Sequence, residues 1–257
     1  MINPMSLEGK AVIVTGAAQG IGRAIANGVL ELGGRVVAID RNAEALDQFA
    51  VEVGGDRLIV AAGDVTDGDF IMRTVDTAAE WAGHIDGLVN NAGISRAAMI
   101  HKMDMDTWAS VIDVNLTAPF RLLQAVGRKM LAQAAAGATA PGAIVNVSSD
   151  AGRRGTVGQI NYGASKSGMN GLTMSAAREW AAKGIRVNAV AFGVVETPMT
   201  ETVRGEKFRE TYLAQIPLGR WGTPEEVAQP VCFLLSEAAS YITGQIISVN
   251  GGYHISS

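Results

Sequence analysis

A tyrosine and a lysine, Tyr162 and Lys166, stand four residues apart in a segment of helical character. Side chains at this spacing lie on one face of a helix, so we expect the two groups to be neighbours. A free phenol has a pKa of about 10, too high for ready proton exchange at pH 7, and a neighbouring ammonium favours the phenolate. The pair therefore predicts a tyrosine that gives or takes a proton with the help of the lysine.

Ser149 precedes this tyrosine by thirteen residues and follows a predicted strand. Its hydroxyl can hold a substrate oxygen beside the Tyr162 phenol by hydrogen bonding. The alternative is an ordinary turn serine, which is common where a strand ends. Under the first interpretation, the three side chains form one acid/base site.

A glycine-rich turn follows the first predicted strand. Residues Ala11–Thr15 form a continuous apolar run, which is typical of a strand buried on both faces of a parallel sheet. Gly16, Gly20 and Gly22 then lead into an amphipathic helix. A dinucleotide pyrophosphate binds at this kind of turn, because glycines admit it close to the backbone and the helix N-terminus offers unpaired N–H groups. The spacing G-x-x-x-G-x-G differs from the commoner G-x-G-x-x-G, and plain turn chemistry is the alternative.

Polar residues also end later predicted strands. Asp40 ends the second strand, where a carboxylate can accept hydrogen bonds from the adenosine ribose; a solvated aspartate is the alternative. Asp64–Val65 and Asn90–Gly93 each follow a further strand. The carboxyl ends of parallel strands form the edge at which open α/β sheets bind ligands, so we expect these residues to meet there.

Short β-branched runs alternate with longer helical patterns along the whole chain. This rhythm is typical of the α/β class and predicts a Rossmann-type, doubly wound, seven-stranded parallel sheet with helices on both faces. The predicted strands are Ala11–Thr15, Arg35–Ile39, Leu58–Ala62, Gly87–Val89, Ala143–Val147, Ile185–Val190 and Gln245–Val249.

Composition narrows the classes of protein that fit. With 257 residues, 48% of them hydrophobic, and a net charge of −4, the chain is predicted to fold as one globular domain over residues 1–257. It has no basic stripe for a phosphate backbone, so nucleic acid is not an expected partner. Residues Phe192–Pro217 break the α/β rhythm and turn charged, which predicts a lid over the substrate site.

Cysteine and histidine usage argue against a metal site and against an oxidising compartment. Cys232 is the one cysteine in the sequence, and the three histidines lack ligand spacing. The stretch Met1–Lys10 has no basic region followed by an apolar run, so we expect no signal peptide. The uncharged stretches elsewhere contain proline, glycine or amide residues unsuited to a bilayer span. A cytoplasmic protein without a membrane partner is the expectation.

With these residues identified, the chain resembles the short-chain dehydrogenase/reductase family over essentially its whole length. The segments that carry the resemblance occur in the family's order and spacing: Thr15–Gly22, Asp64, Asn90–Gly93, Asn115, Ser149, Tyr162 with Lys166, Tyr241–Gln245 and Val249–Gly252. One position departs from the family pattern, because Phe192 stands where Pro is usual before Gly193. We therefore expect an altered backbone at the nicotinamide side of the site.

The resemblance implies a Ser-Tyr-Lys-Asn site. In it, Tyr162 is the acid/base, Ser149 orients a carbonyl or alcohol, Lys166 lowers the phenol pKa and holds the ribose, and Asn115 ties a water to the lysine. Gln159 joins Ser149 and Tyr162 on the substrate side, and no metal is implied. The implied contacts of the dinucleotide are Gly16, Gln19, Gly20, Ile21, Gly22, Asp40, Arg41, Asp64, Val65, Asn91, Ala92, Gly93, Tyr162, Lys166, Gly193, Val195 and Thr197, with Thr197 at the carboxamide and Asn91 and Gly93 on the adenosine side.

The sequence therefore predicts an NAD(H)-dependent oxidoreductase that interconverts a secondary alcohol and a ketone by hydride transfer. NAD is favoured because a 2′-phosphate near Asp40 would bring like charges together. NADP stays open as an alternative, since Arg41 can turn toward a phosphate. We expect a small alcohol or ketone as substrate and, from the resemblance, a homotetramer.

Two alternatives remain at this stage. Gly158–Lys166 and Asn188–Met199 are similar to segments of 3-oxoacyl-carrier-protein reductases, although those enzymes usually take NADPH, which Asp40 opposes. Exposed basic residues suited to an acidic carrier protein are available in Arg96, Lys102, Arg153 and Arg154, but solvated loop charges explain them equally well. The other alternative is a catalytically idle dinucleotide-binding sensor or scaffold on the same fold, against which the intact Ser-Tyr-Lys set argues.

Overall fold

The computed structural model describes residues 3–255; Met1, Ile2, Ser256 and Ser257, which the predicted domain includes, lie outside the described residues. Within residues 3–255 the strands are β1 (Ala11–Thr15), β2 (Arg35–Asp40), β3 (Leu58–Ala62), β4 (Gly87–Asn90), β5 (Gly142–Ser149), β6 (Ile185–Phe192) and β7 (Ile246–Val249). The helices are α1 (Gly20–Glu31), α2 (Ala43–Val53), α3 (Gly68–Ala82), α4 (Met105–Ile112), α5 (Ala118–Ala135), α6 (Ala151–Arg154), α7 (Ile160–Trp180), α8 (Glu201–Arg204), α9 (Glu206–Leu213) and α10 (Pro224–Leu235).

The strands form one parallel sheet in the order β3-β2-β1-β4-β5-β6-β7. The order reverses between β1 and β4, and a crevice opens at the carboxyl ends of strands at such a switch point. This topology confirms the predicted doubly wound sheet. It also places the ends of β1, β4, β5 and β6 next to one another.

Helices cover both faces of the sheet because its central strands are apolar on both sides. Along β1, Val12 and Val14 pack with α1, α2 and α10 in one core, whereas Ile13 packs with α3, α5 and α7 in the other. Helix α1 begins at Gly20 after the glycine turn and ends before Gly33, which has a φ of 89°. A left-handed glycine of this kind ends a helix at little cost.

Strands β5 and β6 run two residues further than predicted, and their last residues, Ser149 and Phe192, are paired in register. Two features explain the extension. Ser148 donates its hydroxyl to the Lys166 carbonyl at 3.1 Å, which satisfies a buried polar group. Phe192, unlike the usual proline, keeps a backbone N–H and can continue a strand. The departure at this position therefore lengthens β6 and buries an aromatic ring at its end.

The segment predicted to be a lid consists mostly of short helices and has few buried residues. Phe192 belongs to β6, residues 198–200 form a 3₁₀ turn, and α8 and α9 follow as short exposed helices. The segment's last residue, Pro217, packs closely on Gly252, because a Cβ added to Gly252 would lie 2.8 Å from the Pro217 ring. Elsewhere, residues 3–255 include no helix long and apolar enough to cross a membrane, and no grouping of three potential metal-ligating side chains.

Candidate active site

A cleft of about 370 Å³ opens at the carboxyl ends of β1, β4, β5 and β6. The predicted site residues that line it are Gly16, Gln19, Gly20, Ile21, Gly22, Asp40, Arg41, Asp64, Val65, Asn91, Ala92, Gly93, Ser149, Tyr162, Lys166, Gly193, Val195 and Thr197. Two predicted residues, Asn115 and Gln159, do not line it. The fold thus gathers residues from every quarter of the sequence around one space.

The glycine turn after β1 is packed too tightly at Gly22 for any larger residue. A Cβ on Gly22 would lie 2.0 Å from the Gly16 carbonyl oxygen and 2.5 Å from Asn91 Nδ2. Asn91 in turn donates Nδ2 to the Thr15 carbonyl at 2.9 Å, and the Thr15 hydroxyl accepts from the backbone N–H groups of Asn91 and Ala92, both at 3.0 Å. Asn91 therefore shapes the turn, in addition to facing the cleft.

This turn and the start of α1 fit a dinucleotide pyrophosphate. The first-turn N–H groups of a helix have no intrahelical partner and carry about half a positive charge in total. Here Gly20, Ile21 and Gly22 begin the helix and line the cleft. No side chain caps the helix N-terminus in the described residues, and its N-cap residue, Gln19, has extended backbone. The donors thus remain available to an anion.

Acidic groups lie on the β2 and β3 side of the cleft. The Asp40 carboxylate accepts from the Ala18 N–H and the Asn42 N–H, both at 3.1 Å. Arg41 lies 3.7 Å from Asp64. Burial raises the pKa of Asp64, but hydrogen bonds from Thr66 and the Arg41 charge outweigh it, so the net shift is downward. The Asp40 carboxylate is thus held where it can accept hydrogen bonds from hydroxyl groups. Arg41 already has the Asp64 carboxylate nearby.

Asn115 lies beneath the cleft in a π-helical turn between α4 and α5, and its side chain is fully buried. The amide is bound at both ends to the backbone of Ile94: Oδ1 accepts from its N–H at 2.8 Å and Nδ2 donates to its carbonyl at 2.9 Å. The side chain therefore anchors the segment after β4 and has little capacity left to hold a water.

Lys166 is buried, with 3% of its surface exposed, and its ammonium donates to the Val147 carbonyl at 2.8 Å. Burial lowers the pKa of this lysine to about 8. The hydrogen bond directs Nζ toward the end of β5, beside the cleft. The charge therefore sits where it can act on both a phenol and a ribose.

Tyr162 faces the same space. Its ring centroid lies 5.7 Å from Lys166 Nζ, as the four-residue spacing predicts. Burial raises the pKa of the phenol, and a hydrogen bond with Ser149 lowers it in part. The ammonium at this distance also favours the phenolate. Ser149, Tyr162 and Lys166 are therefore neighbours. Burial favours the protonated phenol of Tyr162, whereas the Ser149 hydrogen bond and the Lys166 charge favour its phenolate.

Gln159 is held away from the cleft. It precedes α7, and its Nε2 donates to the Ser95 hydroxyl at 3.0 Å. Sequence reasoning missed Thr200, which lines the cleft and donates its hydroxyl to the Val195 carbonyl. It also missed Arg204, which donates to the Thr197 carbonyl at 3.0 Å. Thr197 and Thr200, three residues apart with Pro198 between them, form the kind of pattern that begins a helix. This pattern was the sequence signal that could have identified Thr200.

Comparisons with known proteins agree with this geometry. A family model described as enoyl-(acyl carrier protein) reductase matches residues 16–254. The chain is 47% identical to the 3-oxoacyl-[acyl-carrier-protein] reductase of Thermotoga maritima over 250 residues, which cover 96% of this chain and 99% of that protein. A solved short-chain dehydrogenase/reductase of Brucella melitensis, called a glucose/ribitol dehydrogenase, superposes with a TM-score of 0.91 at 36% identity over 98% of this chain and 99% of that one. The chain is a short-chain dehydrogenase/reductase.

Membership of this family confirms the resemblance drawn from the motifs and makes the protein an oxidoreductase that binds a nicotinamide dinucleotide. A solved relative from Beutenbergia cavernae, with a TM-score of 0.88 and 38% identity over 98% of this chain and 99% of that one, holds NADP at low occupancy. In this short-chain dehydrogenase/reductase, the glycine turn, Asp40 and Lys166 all line the same cleft.

Proposed function

We propose that the protein reduces the 3-oxo group of an acyl thioester to a 3-hydroxyl group. The observation that carries the proposal is the 47% identity, over nearly the whole of both chains, to a 3-oxoacyl-[acyl-carrier-protein] reductase. The sequence alone favoured a small alcohol or ketone and kept this reaction as the alternative. The relatives reverse that order of preference, and the site chemistry is the same for both.

The proposed roles follow from the geometry of the cleft. Ser149 holds the substrate carbonyl oxygen, and Tyr162, which shares a hydrogen bond with Ser149, delivers a proton to that oxygen as it becomes an alcohol. Lys166 stabilises the phenolate left behind through its buried charge. When bound, the dinucleotide supplies the hydride that reaches the carbonyl carbon. Asn115 keeps the segment after β4 in place beneath the site.

We further propose that NADH is preferred to NADPH. A 2′-phosphate beside Asp40 would place like charges a few ångströms apart, which costs roughly 2 to 4 kcal/mol at an effective dielectric of about 20. Arg41 is placed to offset part of this cost, but it already lies near Asp64. The test compares kcat/KM for the two cofactors in the wild type and in Asp40→Ala. We expect a preference for NADH of about 30-fold or more on the basis of that cost, and its loss in the variant; equal values in the wild type refute the preference.

A second candidate is the dehydrogenation of a polyol or another small secondary alcohol. The observation that favours it is the TM-score of 0.91 to a glucose/ribitol dehydrogenase. Its site needs the same Ser149, Tyr162 and Lys166, so the residues that perform the chemistry do not discriminate between the two candidates. Only the preferred substrate discriminates between them.

The deciding experiment assays an acetoacetyl thioester beside a panel of small ketones and polyols, with both cofactors. The proposal predicts a kcat/KM for the thioester at least a hundredfold higher, which is about 2.7 kcal/mol of transition-state stabilisation. A polyol or simple ketone that is turned over better than the thioester establishes the second candidate instead. An inactive protein that still binds dinucleotide would support the sensor or scaffold alternative.

The carrier-protein part of the proposal has its own variant. Arg96 and Lys102 are exposed, whereas Arg154 lies over the Tyr253 ring at 3.9 Å and Arg153 donates to the Ser248 hydroxyl. Reversing the charges of Arg96 and Lys102 therefore leaves the C-terminal contacts intact. If a carrier docks there, Arg96→Glu/Lys102→Glu raises KM for a carrier-bound substrate and leaves KM for a small thioester unchanged.

A further inference from the structure

A carboxylate with no assigned role lies directly after the catalytic serine. Asp150 is 2% exposed, and both of its oxygens accept from Nδ2 of Asn250, at 3.0 and 2.9 Å. The two residues are 100 positions apart in the chain. One amide therefore holds both oxygens of a buried carboxylate. The mechanism above does not use it.

The contact joins the parts of the site that must keep their spacing. The Asp150 N–H donates to the Phe192 carbonyl at 3.0 Å, and the next N–H, that of Ala151, donates to the Ser149 hydroxyl at 3.2 Å. On the other side, a Cβ on Gly193 would lie 2.8 Å from the Cβ of Asn250. The carboxylate therefore links the end of β5 to the segment that packs on the nicotinamide-side loop.

The same segment holds the end of the predicted lid. Leu218 donates its N–H to the Gly251 carbonyl at 3.1 Å, and Gly252 packs on Pro217. Asn250 also fixes its own segment, because its Oδ1 accepts from the Gly252 N–H and its Nδ2 donates to the His254 carbonyl. Any displacement of Asn250 is thus transmitted both to Gly193 and to the lid.

We propose that Asp150 is a positioning residue of the reaction: through Asn250 it sets the distance between Ser149, the loop at Gly193 and the end of the lid. A displacement of about 1 Å in reacting groups can cost on the order of a hundredfold in rate. The inference rests on the oxidoreductase chemistry of the proposed function but not on the identity of its substrate.

The electrostatic surroundings support a role beyond packing. Burial raises the pKa of Asp150, and the Asn250 amide and the charges of His254, Arg154 and Arg153 lower it in part. A carboxylate kept at such a cost beside a catalytic group is a candidate for a functional residue. The groups that face it come from α6 and from the C-terminal segment.

The test uses the full-length protein with whichever carbonyl substrate proves active. Asp150→Ala and Asn250→Asp remove the contact in different ways, the second by setting two carboxylates against each other. The exchanged pair Asp150→Asn/Asn250→Asp restores an amide–carboxylate contact, and the carboxylate introduced at position 250 can still accept from the Gly252 N–H. The pair loses the bond to the His254 carbonyl, as Asn250→Asp alone does, so the two variants differ only at position 150. Asp86→Asn is the control, because the Asp86 carboxylate is also hydrogen-bonded within the protein, to the Ala11 N–H, but it lies before β4, at the amino ends of the strands and away from the cleft.

We expect kcat to fall at least tenfold in Asp150→Ala and Asn250→Asp, as misplacement of reacting groups predicts, while Kd for the dinucleotide changes less than about threefold because the phosphate turn is untouched. The exchanged pair should regain part of the kcat that Asn250→Asp loses, because it removes the repulsion between two carboxylates but not the loss of the bond to His254. A kcat loss no greater than that of Asp86→Asn at equal loss of Tm, or no regain in the exchanged pair, refutes the proposal. A wild type inactive on thioesters but active on another carbonyl refutes only the proposed substrate.

Discussion

At the scale of single residues, the site is defined by a half-buried phenol and a buried ammonium whose environments shift their pKa values in opposite directions. Burial raises the pKa of the Tyr162 phenol and lowers that of the Lys166 ammonium to about 8. Each group is therefore closer to its neutral form than it would be in water. Burial alone therefore opposes ionisation of the phenol, so the proposed proton transfer depends on the Ser149 hydrogen bond and on the nearby Lys166 charge, both of which favour the phenolate.

Replacing Tyr162 by Phe is expected to lower kcat by a factor of about 100 to 10,000, the range for loss of a general acid or base. The change removes the hydroxyl that moves the proton and leaves the glycine turn intact, so Kd for the dinucleotide should stay within a few-fold. Steady-state kinetics and a fluorescence titration of bound NADH measure the two quantities. Substantial turnover by the variant would contradict the proposed role of the phenol.

Lys166 gives a second prediction, on stability against pH. Its pKa of about 8 in the folded state lies below the reference value of 10.5. Between these values the unfolded chain binds more protons, so this residue's contribution to the free energy of unfolding rises with pH by about 3 kcal/mol. The contribution is lowest below pH 8 and complete above 10.5. Urea unfolding of the wild type and Lys166→Met at pH values of about 7.5 and 10.5 measures the difference, and Lys183→Met, at an exposed position, is the control. Equal pH dependence in wild type and Lys166→Met would contradict it.

At the scale of elements, the sequence indicated each strand because the runs are apolar and bounded by turn residues. The Tyr162–Lys166 contact also followed from helix periodicity, and the glycine turn from its place after β1. What the sequence did not predict depends on contacts between distant segments. The Asn115 side chain is bound to Ile94, Gln159 to Ser95, and Asp150 to Asn250, and no local pattern signals these partners.

The glycine turn yields the prediction for this scale. Gly22→Ala places a methyl group 2.0 Å from the Gly16 carbonyl oxygen, so the backbone of the turn has to move away from the phosphate position. We expect Kd for the dinucleotide to rise at least tenfold, about 1.4 kcal/mol. Gly171→Ala is the matched control in α7, where a Cβ meets nothing within 4 Å. It should bind dinucleotide normally and gain about 0.5 to 1 kcal/mol of stability from helix propensity.

At the scale of the whole molecule, the two long helices α5 and α7 still expose large apolar side chains. Phe120 is 48% exposed on α5 and Met174 is 46% exposed on α7. Apolar groups on the faces of neighbouring helices are typical of a surface that a second copy covers. The homotetramer implied by the resemblance stays a prediction, and these helices are where we expect its subunits to meet.

Light scattering at micromolar concentration should give the mass of four chains for the wild type. Phe120→Glu/Met174→Glu should give a smaller species, because it buries charges in the expected contact. Val51→Glu, on the exposed side of α2 where Val51 is 83% exposed, should keep the wild-type mass. A wild-type monomer, or identical masses for all three proteins, would contradict the prediction.

The pairing of β1 with β4 has a consequence for engineering. The residues up to Gly83 hold β1, β2 and β3 with the phosphate-binding turn, and the residues after it hold β4 to β7 with Ser149, Tyr162 and Lys166. The two parts meet through the pairing of β1 with β4, through the bonds between Thr15 and Asn91, and through the helices that pack on both faces of the sheet. Gly83 itself is exposed in the turn after α3, and a Cβ added to it would meet no other atom within 4 Å. A chain divided there separates the phosphate-binding turn from the proton-transfer residues, so oxidoreductase activity becomes a direct readout of whether two fused bait proteins bring the fragments together.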